Sequence, residues 1–212
     1  MNNVSIFRLL NKPNKIITLF FFLLPIFLFY FYFFPMYSVN MPNWDDYDAI
    51  LDWLNFNVTN HDAAKFFQIL FSQATEHRIV FDRLVTLIYY YLFKSVNFSI
   101  LTFLGLLGQL AILLLLLKIA FKSKFTLLEL IPLPYMLFSL SQWELLSWAM
   151  ASLSQYWQLF FALIAIYLAV NLNNFKGMVL AFLFFKFFSI YSSWWINRLS
   201  YNSFILFPQQ KI

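Results

Sequence analysis

Two carboxylates stand side by side in the stretch WDDYD at residues 44–48, Asp45 and Asp46. Like charges this close, flanked by aromatic rings, raise the pKa of one of them. A carboxyl raised in this way is a better general base, and a well-placed proton transfer contributes roughly 10²–10⁴-fold. A second group, Glu76, His77 and Arg78, sets an acid, an imidazole and a guanidinium in a row. The planar fork of Arg78 suits phosphate oxygens. A third group, Gln142-Trp143-Glu144, opens a polar series in which Glu144, Ser147, Ala151, Ser154, Gln155 and Gln158 recur at helical spacing. Polar groups within an apolar helix generally face a bundle interior or a wet cavity.

Each group also has a plainer reading. Asn43 has the chemistry of a helix N-cap, and Asp46 three residues on is stabilised by the unpaired N–H groups and dipole of a first turn. Glu76-His77-Arg78 equally describes an interfacial helix end, with an Arg78–Asp82 pair worth a few tenths of a kcal/mol. Ser and Gln along a span also serve as modest interhelical hydrogen bonds. The chain has two histidines and no cysteine, so a His-rich zinc centre, thiolate ligands, disulfides and a Cys nucleophile are not expected. No metal site is assigned and no particular cofactor is indicated; a divalent cation held by carboxylates stays open.

The elements that must position these groups are membrane helices. The 212 residues are 62% hydrophobic, 23% aromatic and 11% charged, against about 25% charged in a soluble domain. A transmembrane helix needs roughly 20 consecutive apolar residues. Residues 16–37 and 98–120 qualify, 125–140 is shorter and interrupted by Pro132 and Pro134, 153–170 is a fourth run, and 178–195 is a fifth with Lys186 near its middle. The first run is too long for a signal-peptide core and reads as a retained anchor. With the N-terminus inside, Arg8, Lys12, Lys15, Lys118, Lys122, Lys124 and Lys176 fall on the cytoplasmic side, as basic residues near span ends do. Every aspartate, Glu76 and Glu144 then fall outside, within the loop 38–97 and a short turn near residues 141–145.

In that loop Trp44, Tyr47, Leu51 and Leu54 form one stripe, and Asp45, Asp48 and Asp52 form its neighbour. The pattern predicts an amphipathic helix on the membrane surface, aromatics down and carboxylates to water. Ala63, Phe66, Phe67, Leu70, Phe71 and Ala74 repeat it. The expected fold is therefore all-α: one polytopic integral membrane helix bundle over residues 1–212, with four to five transmembrane helices and amphipathic interfacial helices in the first outer loop. The net charge of +5 is spread by topology and forms no basic face, so no nucleic-acid partner is expected.

An anchor helix followed by an outer Asp-Asp pair, an amphipathic surface helix, Glu-His-Arg, and later Gln-Trp-Glu resembles bacterial GT-C-type membrane glycosyltransferases of the polytopic kind found with surface-polysaccharide genes. The likeness covers about residues 16–158. It implies transfer from a polyprenyl-phosphate-linked sugar donor to a glycan or lipid acceptor at the outer face of the cell membrane. It makes Asp45 or Asp46 the base or metal-associated acid, and Arg78 a ligand of the donor phosphate. Glu76, His77, Glu144 and Gln155 are the further candidate substrate-binding residues. The last segment reads poorly as a finished span, which is the mark expected of a truncated and inactive product. The rival expectation is a non-catalytic membrane subunit, or a fragment of a transporter or polymerase.

Overall fold

The structure, a computed structural model, describes residues 13–60, 62–72, 79–172 and 175–186. Among them every regular element is helical: α1 (Pro13–Leu28), α2 (Phe34–Tyr37), α3 (Trp53–Thr59), α4 (Ala63–Leu70), α5 (Val80–Phe93), α6 (Phe98–Lys122), α7 (Pro132–Leu137) and α8 (Ala149–Asn171). A π-helical turn, Phe29–Phe33, joins α1 to α2 in one rod. Three rods are long and apolar enough to cross a membrane: Lys15–Tyr37, Phe98–Lys122 and Ala149–Asn171. Residues 175–186 are also helical; the remainder of the fifth expected span lies outside the described residues.

The principal packing is between α6 and α8. It is made possible by Gly105: a Cβ there would stand 2.5 Å from the Ser152 carbonyl carbon and 2.6 Å from the Leu153 nitrogen. Gly108 faces Tyr156 in the same way, one turn further along. Near the other end Lys118 lies over the Tyr167 ring, and Lys122 donates to Asn171. The pairs 105 with 152, 108 with 156, 118 with 167 and 122 with 171 rise together, so α6 and α8 run parallel. The first rod runs antiparallel to α6: Asn40 Oδ1 accepts the Phe98 N–H at 2.8 Å, and the Tyr30 hydroxyl donates to the Leu106 carbonyl at 2.6 Å.

Parallel neighbours cannot be joined by a short turn. Residues 123–148 must travel back along the full length of the pair, and they do so as a broken leg. The expected third span holds only the six-residue α7, because proline lacks an N–H and clashes with the preceding turn. Leu130, Pro134 and Phe138 are buried in this leg, with Phe138 against Phe29 at 5.4 Å. The carbonyl of Leu137, left without a helical donor at the break, accepts from Gln109 Nε2 in the middle of α6. Irregular backbone at membrane depth is tolerated where it is buried in protein and satisfied in this manner.

The first loop packs more deeply than its amphipathic pattern predicts. A π-helical turn, Tyr47–Asp52, precedes α3. Its extra residue rotates the helix beyond it, so the expected stripe divides. Leu54 is buried with Ala49, Ile50 and Trp53, against Leu70, Ile79 and Val80. Trp44 and Tyr47 instead point out of the bundle, Trp44 at 78% exposure. Asp62 caps α4 by accepting the N–H groups of Ala64 (2.9 Å) and Lys65 (3.3 Å). The buried Arg83 closes the other end of α4 by donating to the carbonyls of Ile69, Leu70 (3.2 Å) and Ser72 (3.0 Å).

The contact at Gly105 makes a direct prediction. Gly105→Ala should lower stability by about 1–3 kcal/mol, the usual cost of overpacking. Gly108→Ala, whose Cβ would meet Tyr156 Cβ at 3.0 Å, should cost less. Thermal unfolding of the purified protein in detergent measures both, and equal melting of native chain and Gly105→Ala would contradict the parallel pairing.

Candidate functional site

The site is assembled at the end of the bundle where α1 finishes and α6 and α8 begin. Trp148, the residue before α8, makes no side-chain cap. Asp46 supplies the cap from 104 residues away: its Oδ1 accepts the Met150 N–H at 2.9 Å, and the Ala149 N–H contributes. Its Oδ2 accepts the Asn43 N–H at 3.0 Å, the reach-back of a capping box. The acid half of the helix-start reading is seen in this reach-back, while the helical turn begins after Asp46 and Asn43 makes no side-chain cap; the same carboxyl also fastens the first loop to α8. Asp46 is fully buried. Burial pushes its pKa up to about 6, against the lowering effect of the three backbone N–H groups, while Asp45 adds to the rise.

Asp45 is half-exposed. The two adjacent acids therefore occupy opposite environments, one committed to backbone donors and the other open at the bundle end.

The sequence offers Asp82 only as a salt-bridge partner for Arg78. In the structure it is fully buried in the first turn of α5, and among the described residues neither of its oxygens has a hydrogen-bond partner. Thr86, one turn further on the same face, is likewise buried with an unpartnered hydroxyl. The neighbouring Arg83 spends its guanidinium on the end of α4, and burial lowers its pKa despite the pull of Asp82. An ionised carboxylate in such a place is costly. Burial first, and the Asp46 charge second, hold the Asp82 pKa well above the ordinary range, with Arg83 opposing.

Glu144 and Gln155 do not lie along one helix as their spacing implied. Glu144 belongs to a 3₁₀ turn, Leu140–Leu146, broken at Gln142 and separated from α8 by Ser147 and Trp148. The fold nevertheless brings both to one cleft of about 290 Å³, lined by Ser141, Gln142, Trp143, Glu144, Leu145 and Gln155. Ser154 turns back onto its own helix, donating to the Met150 carbonyl at 2.6 Å. The polar contacts that enter the bundle join Gln142 to Tyr156 and Gln109, two residues given no role in the sequence reading. The Tyr156 hydroxyl donates to Gln142 Oε1 at 2.8 Å and meets Gln109 Nε2 at 3.4 Å. The signals were a glutamine isolated in the apolar run of α6 and a tyrosine within the polar series at residues 154–158. Glu76, His77 and Arg78 lie outside the described residues. Among the described residues no three acidic or histidine side chains gather to hold a metal ion.

Comparison with family models, curated proteins and solved structures finds no match to this chain.

Two predictions rest on these acids. Asp46→Ala removes the cap on α8 and should lower stability by about 0.5–2 kcal/mol, read by thermal unfolding in detergent. The second concerns pH. Asp46 and Asp82 both have folded-state pKa values above the unfolded 3.8, so the folded state holds their protons more tightly. Their stabilisation is complete below 3.8 and is lost as pH rises through the raised folded-state values, about 6 for Asp46. The melting temperature should fall as pH rises from 3.8 through about 6, and Asp82→Asn should flatten that fall. A native profile that rises over this range would contradict the placement of Asp82.

Proposed function

We propose that this chain is a multi-pass protein of the cell membrane that transfers a sugar from a polyprenyl-phosphate-linked donor to a glycan or lipid acceptor. On this reading the N-terminus is cytoplasmic and the loop 38–97 is extracytoplasmic. The broken leg 123–148 is a fourth crossing, and exposed Trp44 and Tyr47 anchor the first loop in the outer interface. The reading is carried by one observation: Asp46 fastens the first loop to the head of α8, so that open Asp45 and the Glu144–Gln155 cleft share one end of the bundle. Lys118 and Lys122 lie at the opposite end.

The roles then divide. Asp45 takes the proton of the acceptor hydroxyl as its oxygen attacks the anomeric carbon. The bond from that carbon to the donor phosphate breaks, and polyprenyl phosphate leaves. Asp46 is a positioning residue, since both of its oxygens hold backbone N–H groups. By the family likeness, Arg78 stabilises the departing phosphate, with Glu76 and His77 beside it. Glu144 and Gln155 line the approach of the acceptor.

The test is transfer of radiolabelled sugar from polyprenyl phosphate by membranes containing this chain. Asp45→Asn should reduce transfer by about 10²-fold or more, the size of a proton-transfer contribution. Undiminished transfer would remove Asp45 from the mechanism. Sidedness is checked separately. The chain has no cysteine, so Trp44→Cys should react with an impermeant thiol reagent from outside the cell and Lys124→Cys only from within.

A second reading, a non-catalytic membrane subunit, has an observation of its own. Only 17% of the first span's most apolar window is buried, against 50% for α6. A face this open is suited to lipid or to a partner's helix. Absence of transfer together with a stable heteromeric complex in mild detergent would favour it.

A further inference from the structure

We infer that the cleft at the head of α8 binds a neutral, hydroxyl-rich sugar ring, the acceptor of the proposed transfer, and does not take the phosphate-bearing donor. The inference deepens the transferase reading and rests on it for the word acceptor; the binding itself does not.

The lining argues for this class of ligand. It offers one carboxylate (Glu144), two amides (Gln142 and Gln155), one hydroxyl (Ser141) and one indole (Trp143). Sugar hydroxyls both donate and accept, and carboxylate and amide groups meet them in both senses. The apolar C–H face of a pyranose suits an open aromatic face, and Trp143 is 53% exposed. Among the described residues no lysine or arginine lines the cleft. There a phosphate would meet the Glu144 charge without one of the cationic forks that normally bind it. At about 290 Å³ the cleft lies just below the usual range of ligand sites, roughly 300–1,000 Å³, room enough for one sugar ring.

The cleft is also supported from within. Gln142 departs from helical geometry at φ −110°, ψ 34°. Its Oε1 is held by the hydroxyl of Tyr156 at 2.8 Å. Tyr156 is buried, and it is met in turn by Gln109 from the centre of α6. With its oxygen fixed inward, the Gln142 amide nitrogen is left with its two donors for a ligand. A polar group oriented before binding loses less freedom when the ligand arrives. Tyr156 and Gln109 are thus positioning residues for Gln142.

The test uses the full chain, purified into lipid nanodiscs, and saturation-transfer NMR with maltotriose, cellotriose and triacetylchitotriose, compared with glucose 1-phosphate. At least one neutral sugar should bind, and glucose 1-phosphate should bind more weakly. Trp143→Ala should weaken the neutral sugar about tenfold, the equivalent of one good aromatic contact. Tyr156→Phe keeps the ring and its packing, so a loss of affinity with unchanged melting reports the lost hold on Gln142. No binding of any neutral sugar by folded protein overturns the inference. Tighter binding of the sugar phosphate, or native affinity in Trp143→Ala, also overturns it. The transfer assay separates the two readings. Sugar binding without transfer leaves the cleft standing and removes the enzyme, whereas transfer without neutral-sugar binding does the reverse.

Discussion

The close approach of α6 to α8 at Gly105 and Ser152 governs the architecture. Two apolar helices in lipid gain little from hydrophobic burial against each other, and close packing through small residues is what holds them. Because the pair is parallel, its two N-termini lie at one end and its two C-termini at the other. The helix dipoles add, making the first end attractive to carboxylates and the second to ammonium groups. Asp46 at the head of α8, and Lys122 and Lys118 at the tails, match that polarity.

The same pairing obliges the chain to return, and the return leg is where its polar chemistry collects. A continuous helix would have satisfied its own backbone, but Pro132 and Pro134 stand in the first turn of α7 and stop a helix from entering it from residues 125–131, and α7 ends at Leu137. The break is repaired from outside by Gln109 at the Leu137 carbonyl. The leg then tightens into a 3₁₀ turn that cannot run on smoothly into α8. The cleft opens at this discontinuity. Structural necessity and binding surface share the residues Gln109, Tyr156 and Gln142.

Asp45 and Asp46 illustrate how environment outweighs residue type. Adjacent and chemically identical, one is buried on three backbone donors while the other stands half-open. Asp82 is a third case, an acid whose buried oxygens have no hydrogen-bond partner among the described residues, beside an Arg83 whose guanidinium is spent on the end of α4. Burial holds its pKa well above the ordinary carboxylate range.

Hydropathy was enough to define an all-helical chain and to locate, within a few residues, three helices long and apolar enough to cross a membrane, of the four to five expected. These properties depend on residues close in sequence, where composition over roughly 20 positions decides whether a helix can cross a bilayer. Helical periodicity, by contrast, misjudged the first loop, because one π-helical turn shifts every later side chain. It also joined Glu144 to α8 across a kink. The partner of Asp46, the burial of Asp82 and the meeting of Glu144 with Gln155 depend on contacts between distant parts of the chain. Spacing along a single helix carries no record of them, since each exists only once α8 lies parallel to α6 and the loop is seated on its head.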